Sequence, residues 1–467
     1  MRNLLKASAV SGALVLAACT TSLGPQMSGI DAPAAWTRLD SKPQSPDTPL
    51  TEDASVQIEH DWWKHFGDPT LEALIKEALD NNKSLQIAKA RVEEARANRG
   101  VARSSLFPQI NAAASASRAN QGFLTNDRAL NIGDAELDAS WEIDLFGRNQ
   151  ARNAEAAAIL ESEEAATQAV RIGLMAELAR NYFDMRNFER QIALTRENLE
   201  TQKKTLDLTR VQLQGGYASD FDVQRAAAQV STTDAEIPAL EASYDAAAVR
   251  LNILLGLPPG SRDNLLRIEQ EMKPLDHRIL IAAPAAVLAE RPDIRVAERR
   301  FAASISAKDA ATAELFPDIS LTAFFGAQSA SGLSAATPWG FGVNLVQPIL
   351  NFGRLQSQID AADARQKQAF LSYQQTVLEA LENMEGALSR YLRETTRNAS
   401  LAAAVAQNRQ AEDLARQQYG NGFTSLLDLL VAQRNLLDAE AGQAASDANL
   451  RNDLVAIYTA AGGGWRD

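Results

Sequence analysis

The sequence predicts an α+β membrane channel, internally duplicated, in which short strands build a shared β-barrel and very long helices continue it. Three observations carry that expectation. Motifs recur in one order: Leu106-Phe107-Pro108-Gln109-Ile110 returns as Leu315-Phe316-Pro317-Asp318-Ile319, an offset of 209 (315 − 106). Phe146-Gly147-Arg148 returns as Phe352-Gly353-Arg354, an offset of 206 (352 − 146). G-x-x-S-x-x-D-x-x-x-A runs from Gly216 through Ser219 and Asp222 to Ala226, and again from Gly422 through Ser425 and Asp428 to Ala432. One order at nearly one offset marks a duplicated unit. The second observation is a pair of alternating stretches after each L-F-P. The third is a Pro-free helical run after each F-G-R.

The chain opens with Arg2 and Lys6, followed by an apolar run, Ala7 to Ala18, that is too short to span a bilayer. Residues 1–18 therefore read as a signal peptide. Leu16-Ala17-Ala18-Cys19 resembles the bacterial lipobox, whose cleavage leaves a lipidated N-terminal Cys19; an ordinary signal peptide with a chance cysteine is the alternative. Thr20, rather than Asp, follows Cys19, which by analogy favours outer-membrane sorting. Residues 19–55, rich in Pro, Ser and Thr, read as an extended lipidated tether.

The first repeat spans 56–255, with a helix near Ser84 to Ser105 and strands at about 109–119 and 134–144. In the second strand Ala135, Leu137, Ala139, Trp141 and Ile143 alternate with Glu136, Asp138, Ser140, Glu142 and Asp144. Period 2 with one acidic face suits a half-buried strand or a membrane barrel strand, and about ten residues suits a tilted crossing. Soluble hairpins on a core are the alternative. Glu136, Asp138 and Glu142 are the candidate lumen residues. The second repeat, 291–460, places matching strands at about 318–328 and 339–349, with Ile319, Leu321, Ala323, Phe325, Phe341, Val343, Leu345 and Ile349 on the apolar phase. An open four-stranded sheet in lipid would leave backbone groups unpaired, so several chains must share a barrel. Two chains give a barrel too narrow for a solute; three give twelve strands and a lumen.

Helices are expected over 148–213 and 354–418. Ile192, Leu199, Leu206 and Leu213 recur every seven residues; Phe370, Tyr373, Val377, Leu381, Met384, Leu388 and Tyr391 form a matching seam. At about 1.5 Å per residue each helix would reach roughly 100 Å. Helices at 220–255 and 426–460 return, able to stack on the shorter helices (the second near Pro292 to Glu314) to match a long one. Between them lie the connection 256–290 and, at the end, the tail 461–467. Gly216 and Gly422 stand at helix C-terminal cap positions, and Ser219 with Asp222, like Ser425 with Asp428, has capping-box spacing. The local reading is that these residues end one helix and start the next. The functional reading is that six such turns ring one end of a tube, with Asp220, Asp222 and Asp428 near its mouth.

Bulk properties exclude other classes. A net charge of −13 argues against a nucleic-acid partner. A mean hydropathy of −0.23 argues against a helical membrane protein. His60, His65 and His277 give no metal spacing, no Ser-His-Asp set is readable, and Gly462 to Gly464 follow no strand that would make a nucleotide loop. The chain reads as no enzyme and needs no cofactor.

Trp62-Trp63-Lys64-His65-Phe66-Gly67-Asp68-Pro69 adds a further motif, as does Gly462-Gly463-Gly464-Trp465. With the L-F-P, F-G-R and tip motifs, the mature chain resembles the TolC-like outer-membrane factors of tripartite (RND-type) efflux systems, in the lipoprotein branch of OprM and NodT-type proteins. The resemblance implies a homotrimer with one 12-stranded barrel in outer-membrane lipid. A helical tunnel would continue it into the periplasm, with a mixed equatorial band drawing on His60 to Asp68, the connection and the C-terminus. It implies tips closed at rest that open on contact with a periplasmic membrane-fusion adaptor and an inner-membrane RND-type transporter. Gly216, Ser219, Asp220, Asp222, Gly422, Ser425 and Asp428 would be the gate and adaptor tips. TolC itself carries paired aspartates three residues apart; Asp428 matches the first, but Val431 stands at the second. The implied role is a passive exit duct for drugs, solvents or similar small molecules, the alternative being a type I secretion or metal-ion efflux duct. A lipid-anchored coiled-coil spacer without a pore, or a lipoprotein enzyme, would leave the acidic alternating strand unexplained.

Overall fold

The computed structural model describes residues 29–39, 50–52, 61–120, 129–263, 275, 279–331 and 334–464. The expected signal peptide, Cys19, most of the tether, parts of both strand-connecting loops, much of the 256–290 connection and Trp465 lie outside them. In chain order the elements are β1 (Leu50–Glu52), a 3-10 turn (Trp62–Phe66), α1 (Pro69–Asn81), α2 (Lys83–Ser104), β2 (Gln109–Asn120), β3 (Ala129–Glu142), α3 (Arg148–Gln214) and α4 (Asp220–Leu254). Then follow β4 (Ile279–Ile281), α5 (Pro284–Glu290), α6 (Pro292–Ala313), β5 (Asp318–Ala330), β6 (Trp339–Val346), α7 (Arg354–Gly420) and α8 (Leu426–Ala460).

The long helices α3 and α7 hold 67 residues each, about 100 Å at the standard rise. Helix α3 packs against α2, α4, α6 and α8, while α7 packs against α6 and α8. The result is four side-by-side columns: α2 stacked on α4, then α3, then α6 stacked on α8, then α7. The antiparallel sheet has the same lateral order, β2-β3-β5-β6, so the two copies meet where β3 pairs with β5. The stacking of short helices has a local cause. Asn82 ends α1, caps Leu85 N–H at the start of α2 and donates Nδ2 to Leu254 O at 2.8 Å, fastening α4 beneath α2. Arg291, 209 residues on (291 − 82), donates Nη1 to Ala460 O at 2.7 Å and fastens α8 beneath α6.

At these junctions lies the main apolar core. Trp62 stacks on Tyr458 (centroids 5.8 Å, 14°), and Phe66 meets Phe183 at 4.8 Å. Asp68 caps α1 at Thr70 and Leu71 and accepts from Tyr182 Oη at 2.7 Å. Each large side chain buried here contributes about 1.5–3 kcal/mol over its exposed state, so the W-W-x-x-F-x-D-P motif is both core and cap.

Three boundaries differ from the sequence reading. The last strand ends at Val346, not near 349: Gln347-Pro348 follows, proline cannot donate to a ladder, and Ile349 is left exposed. Strand β3 starts at Ala129, five residues before the expected 134, and ends at Glu142. The 19–55 stretch is not wholly a free tether. Residues 29–39 form no helix or strand, yet Trp36 is fully buried with its indole N–H on Ala282 O at 2.9 Å. Thr37 N–H donates to Glu385 on α7 at 2.7 Å, and β1 pairs in parallel with β4.

Candidate duct and tip sites

Directly paired residues of neighbouring strands share a face. The register places Asp134 level with Ser115 and Gln328, Glu136 with Ala113 and Gly326, Asp138 with Asn111 and Phe324, and Glu142 with Ser320. The three sequence-picked carboxylates therefore lie on one face of the sheet. They are not equivalent. Asp138 accepts from Asn111 Nδ2 at 3.1 Å. Glu142 is ion-paired to Arg148 at 2.6 Å, and the same guanidinium holds Asp318 at 2.9 Å. Arg148 is thus a cation on the acidic face that the sequence reading missed, although its F-G-R motif was in view. Asp134, the first residue of the expected strand and not among the candidate lumen residues, belongs to the face as well and accepts from Gln328 Nε2 at 2.8 Å. The opposite face carries Leu137 with Phe325 and Trp339, and Ala139 with Ile110, Ala323 and Phe341. Phe341 and Trp339 are 83% and 69% exposed. An acidic face backed by an exposed aromatic one suits a strand with water on one side and lipid on the other.

At the far end of the columns, each long helix stops in a Schellman turn. Gly216 and Gly422 both have φ +78°, a conformation that favours glycine. Tyr217 N–H reaches Gln212 O and Phe423 N–H reaches Gln418 O, both at 2.8 Å. The residues after the glycines, Tyr217 and Phe423, are 89% and 82% exposed. The next helices open in capping boxes. Ser219 N–H donates to Asp222 at 3.0 Å and Asp222 N–H to Ser219 Oγ at 3.2 Å. Ser425 and Asp428 repeat this at 3.3 Å each way, with Thr424 Oγ1 adding a third donor at 3.0 Å. These serine donors hold both carboxyls below the usual aspartate range. Asp220 occupies the first turn of α4, where the helix dipole favours negative charge. Two nearby cations take partners within the chain: Arg210 donates to Asp207 at 3.0 Å, and Arg225 lies 4.7 Å over the Phe221 ring.

Beneath the tips, Leu206, Ala226, Tyr419, Leu426, Leu429 and Leu430 form one apolar cluster that joins both repeats. Tyr419 Oη lies 2.9 Å from Thr209 Oγ1. Among the described residues there is no group of three or more His, Cys, Asp or Glu placed to hold a metal, and no helix long and apolar enough to cross a membrane.

The model of the outer membrane efflux protein family matches residues 74–257 and 283–463. The chain is 31% identical over 433 residues to nodulation protein T of Rhizobium leguminosarum bv. viciae, covering 90% of this chain and 89% of that protein. It is 30% identical over 424 residues to the cation efflux system protein CusC of Escherichia coli O6:H1, covering 87% and 88%. Among solved structures, the outer-membrane channel OprN superposes with a TM-score of 0.84 at 35% identity, over 93% of this chain and 97% of that one.

Proposed function

The chain belongs to the outer membrane efflux protein family, and on that premise we propose that three copies form the outer-membrane exit duct of a tripartite efflux pump. The observation that carries this reading is the sheet. Its outer strands, β2 and β6, have no second neighbour among the described residues, and its two faces differ in kind. In hydrocarbon each unpaired backbone group costs several kcal/mol, so the edges must close on other copies. Twelve strands leave a lumen where eight do not. The face bearing Asp134, Glu136 and Asp138 lines that lumen, the aromatic face meets lipid, and four helical columns per copy continue the wall as a tunnel.

In this reading Cys19 carries the lipid anchor. Six Schellman turns ring the periplasmic mouth, where Gly216, Ser219, Asp220, Asp222, Gly422, Ser425 and Asp428 meet a periplasmic adaptor, and an inner-membrane transporter supplies the driving force. Transport then needs no bond-making side chain. The cargo is a small molecule; similarity to a cation efflux protein supports metal ions as the second reading, and the toxicity profile of a deletion strain separates the two.

Light scattering on the detergent-solubilised protein tests the assembly. A trimer is expected; a folded monomer would remove the shared barrel. In planar bilayers at low salt the duct should prefer cations, because lumenal carboxylates act through fields that salt screens. Anion preference would refute the lumen placement.

A further inference from the structure

One aromatic contact joins the two repeats inside the chain, and its counterparts lie bare at the chain's two edges. The ring of Phe146, in the first F-G-R motif, stacks on that of Phe316, in the second L-F-P motif, with centroids 4.8 Å apart and planes 12° from parallel. The stack sits at the foot of the β3–β5 pairing, where Ile143 N–H donates to Ile319 O at 2.8 Å. Phe352 and Phe107 are the matching residues of the other F-G-R and the other L-F-P. They are 91% and 55% exposed. Phe352 is also the single non-glycine residue with positive φ among the described residues, at +49°. Its ring is held away from its own chain in a backbone conformation that a bulky side chain disfavours.

The repeat relation carries the contact across. Residues before each hairpin loop are offset by 209 (315 − 106), and residues after it by 206 (352 − 146). Under those offsets the β2–β3 register reproduces that of β5–β6: Gln109 opposite Ser140 becomes Asp318 opposite Val346, and Ala112 opposite Leu137 becomes Leu321 opposite Val343. A side-chain contact recurs as well. Trp141 Nε1 donates to Leu106 O at 3.1 Å, and Gln347 Nε2 (347 − 141 = 206) donates to Leu315 O at 3.1 Å. Contacts within one repeat are thus met again within the other. Contacts between the repeats map differently: Phe146 on Phe316 becomes Phe352 on Phe107 (316 − 107 = 209), and β3 with β5 becomes β6 with β2. Strands β6 and β2 are opposite edges of one sheet, so the mapped partner belongs to another subunit.

Resting on the shared-barrel reading above, we propose that Phe352 of each subunit stacks on Phe107 of the next, closing the joint where the barrel meets the helices. The same mapping sets the strand register across that joint. Leu345 lies opposite Ala114 of the next subunit and Val343 opposite Ala116, the counterparts of Ala139 with Ala323 and Leu137 with Phe325. Ile349 N–H then donates to Ile110 O of the next subunit, as Ile143 does to Ile319. The ion bridge does not carry over. Arg148 holds Glu142 and Asp318, whereas the counterparts of those carboxylates are Pro348 (348 − 142 = 206) and Gln109 (318 − 109 = 209). The joint between subunits is therefore marked by the ring pair, which gains from apolar burial and from offset stacking.

The test is cross-linking of the full-length protein carrying both Phe107→Cys and Phe352→Cys. A short bifunctional thiol reagent should produce covalent dimers and trimers on a denaturing gel. Each single variant, which retains Cys19, should run as monomer, and the two single variants co-expressed should give linked pairs and nothing larger. Cross-links in a single variant would overturn the pairing. Light scattering on the unmodified protein separates the two failures: a trimer whose doubly substituted form yields no cross-link overturns the stack alone, while a monomer removes the shared barrel and the stack together. Alanine variants supply a second measurement. The temperature at which detergent-solubilised trimers dissociate should fall in Phe107→Ala and in Phe352→Ala, and no further when the two are combined, because either change removes the same contact. Additive losses, or no loss in either variant, would overturn the proposal.

Discussion

The two copies share a scaffold but differ in how tightly each is locked, and the difference separates what the fold requires from what it merely permits. Both copies end α4 or α8 in a third pair of matched turns: Gly256 has φ +73° and Gly462 has φ +82°, again 206 residues apart (462 − 256). In copy one that glycine is pressed against the chain, since a Cβ at Gly256 would lie 2.4 Å from Asn81 O. In copy two the nearest atoms to a Cβ at Gly462, Arg291 Cα and Glu290 O, are 3.3 Å away. Copy one therefore relies on close backbone approach and a short amide clamp, Asn82. Copy two leaves more room and spans it with a longer guanidinium, Arg291. What the fold requires is a donor on the last-turn carbonyl, and the residue that supplies it varies.

The largest break in this comparison should come from Gly256→Ala. Backbone must move to admit the methyl group, at a cost of about 3–5 kcal/mol, whereas Gly462→Ala should cost about 1–2 kcal/mol from its positive φ. Thermal melts of the two variants measure the gap, and equal losses would show that the junctions are equally tight. Next come the clamps. Arg291→Ala strips the donor from the buried Ala460 carbonyl and should cost about 2–3 kcal/mol; Asn82→Ala loses a cap and a clamp together, about 1–3 kcal/mol. If either melt is unchanged, water has replaced the clamp.

Smaller effects are expected at the tips. Ser219→Ala and Ser425→Ala should each cost about 1 kcal/mol of helix stability, read as faster amide exchange in the first turns of α4 and α8. The Ser425 variant should be the milder, because Thr424 still donates to Asp428. The pH dependence follows from the capped aspartates. Their folded-state values are depressed, so their contribution is present above the ordinary aspartate range and is lost as pH falls through the depressed value. Both tips should fray together in acid. The smallest change is at the strand end: Arg148→Gln frees Glu142 and Asp318, so cation preference in bilayers should increase modestly, while Asp138→Asn should lower it.

Much of this was legible in the sequence because period and punctuation agreed. The strand from Ala135 to Glu142 follows strict alternation, the one from Ile319 to Ala323 repeats it before Phe324 breaks the pattern, and F-G-R and the tip glycines bracket the long helices closely. The start of β3 was not legible. Asn131 and Gly133 read as turn residues, and only their pairing with Arg118 and Ala116 on β2 makes them strand. This third pair of turns was not legible because Pro258 and Pro259 follow Gly256 where glycines follow Gly462, although the spacing was the same. The burial of Glu412 on α7 and of Gln433 on α8, at 4% and 0% exposed, was illegible for a different reason. A charged residue next to a heptad seam reads as solvated, and only its partner helices decide otherwise. Placing Leu206 beside Glu412 at the repeat offset would have exposed the mismatch. Three residues are also missing from the second hairpin, as the fall in offset from 209 to 206 implies, and that loss accompanies a β6 of 8 residues against 14 in β3.

The β3–β5 pairing also sets the order in which the molecule can fold. Ala135 pairs with Ala327 across 192 intervening bonds of chain (327 − 135), whereas Ala114 pairs with Ala135 across 21 (135 − 114). By loop-closure scaling the long pairing costs about 2 kcal/mol more entropy than the short one. The β2–β3 hairpin can therefore form early, while its inner edge stays bare until the whole of α3, α4, α5 and α6 has been delivered. If those helices condense first, they shorten the effective loop, because α3 follows β3 directly and α6 leads into β5. The column packing thus acts as the jig on which the sheet is zipped. A nascent chain that stalls between Leu254 and Pro292 would present a hairpin with both edges unpaired to its neighbours, the condition under which such chains aggregate.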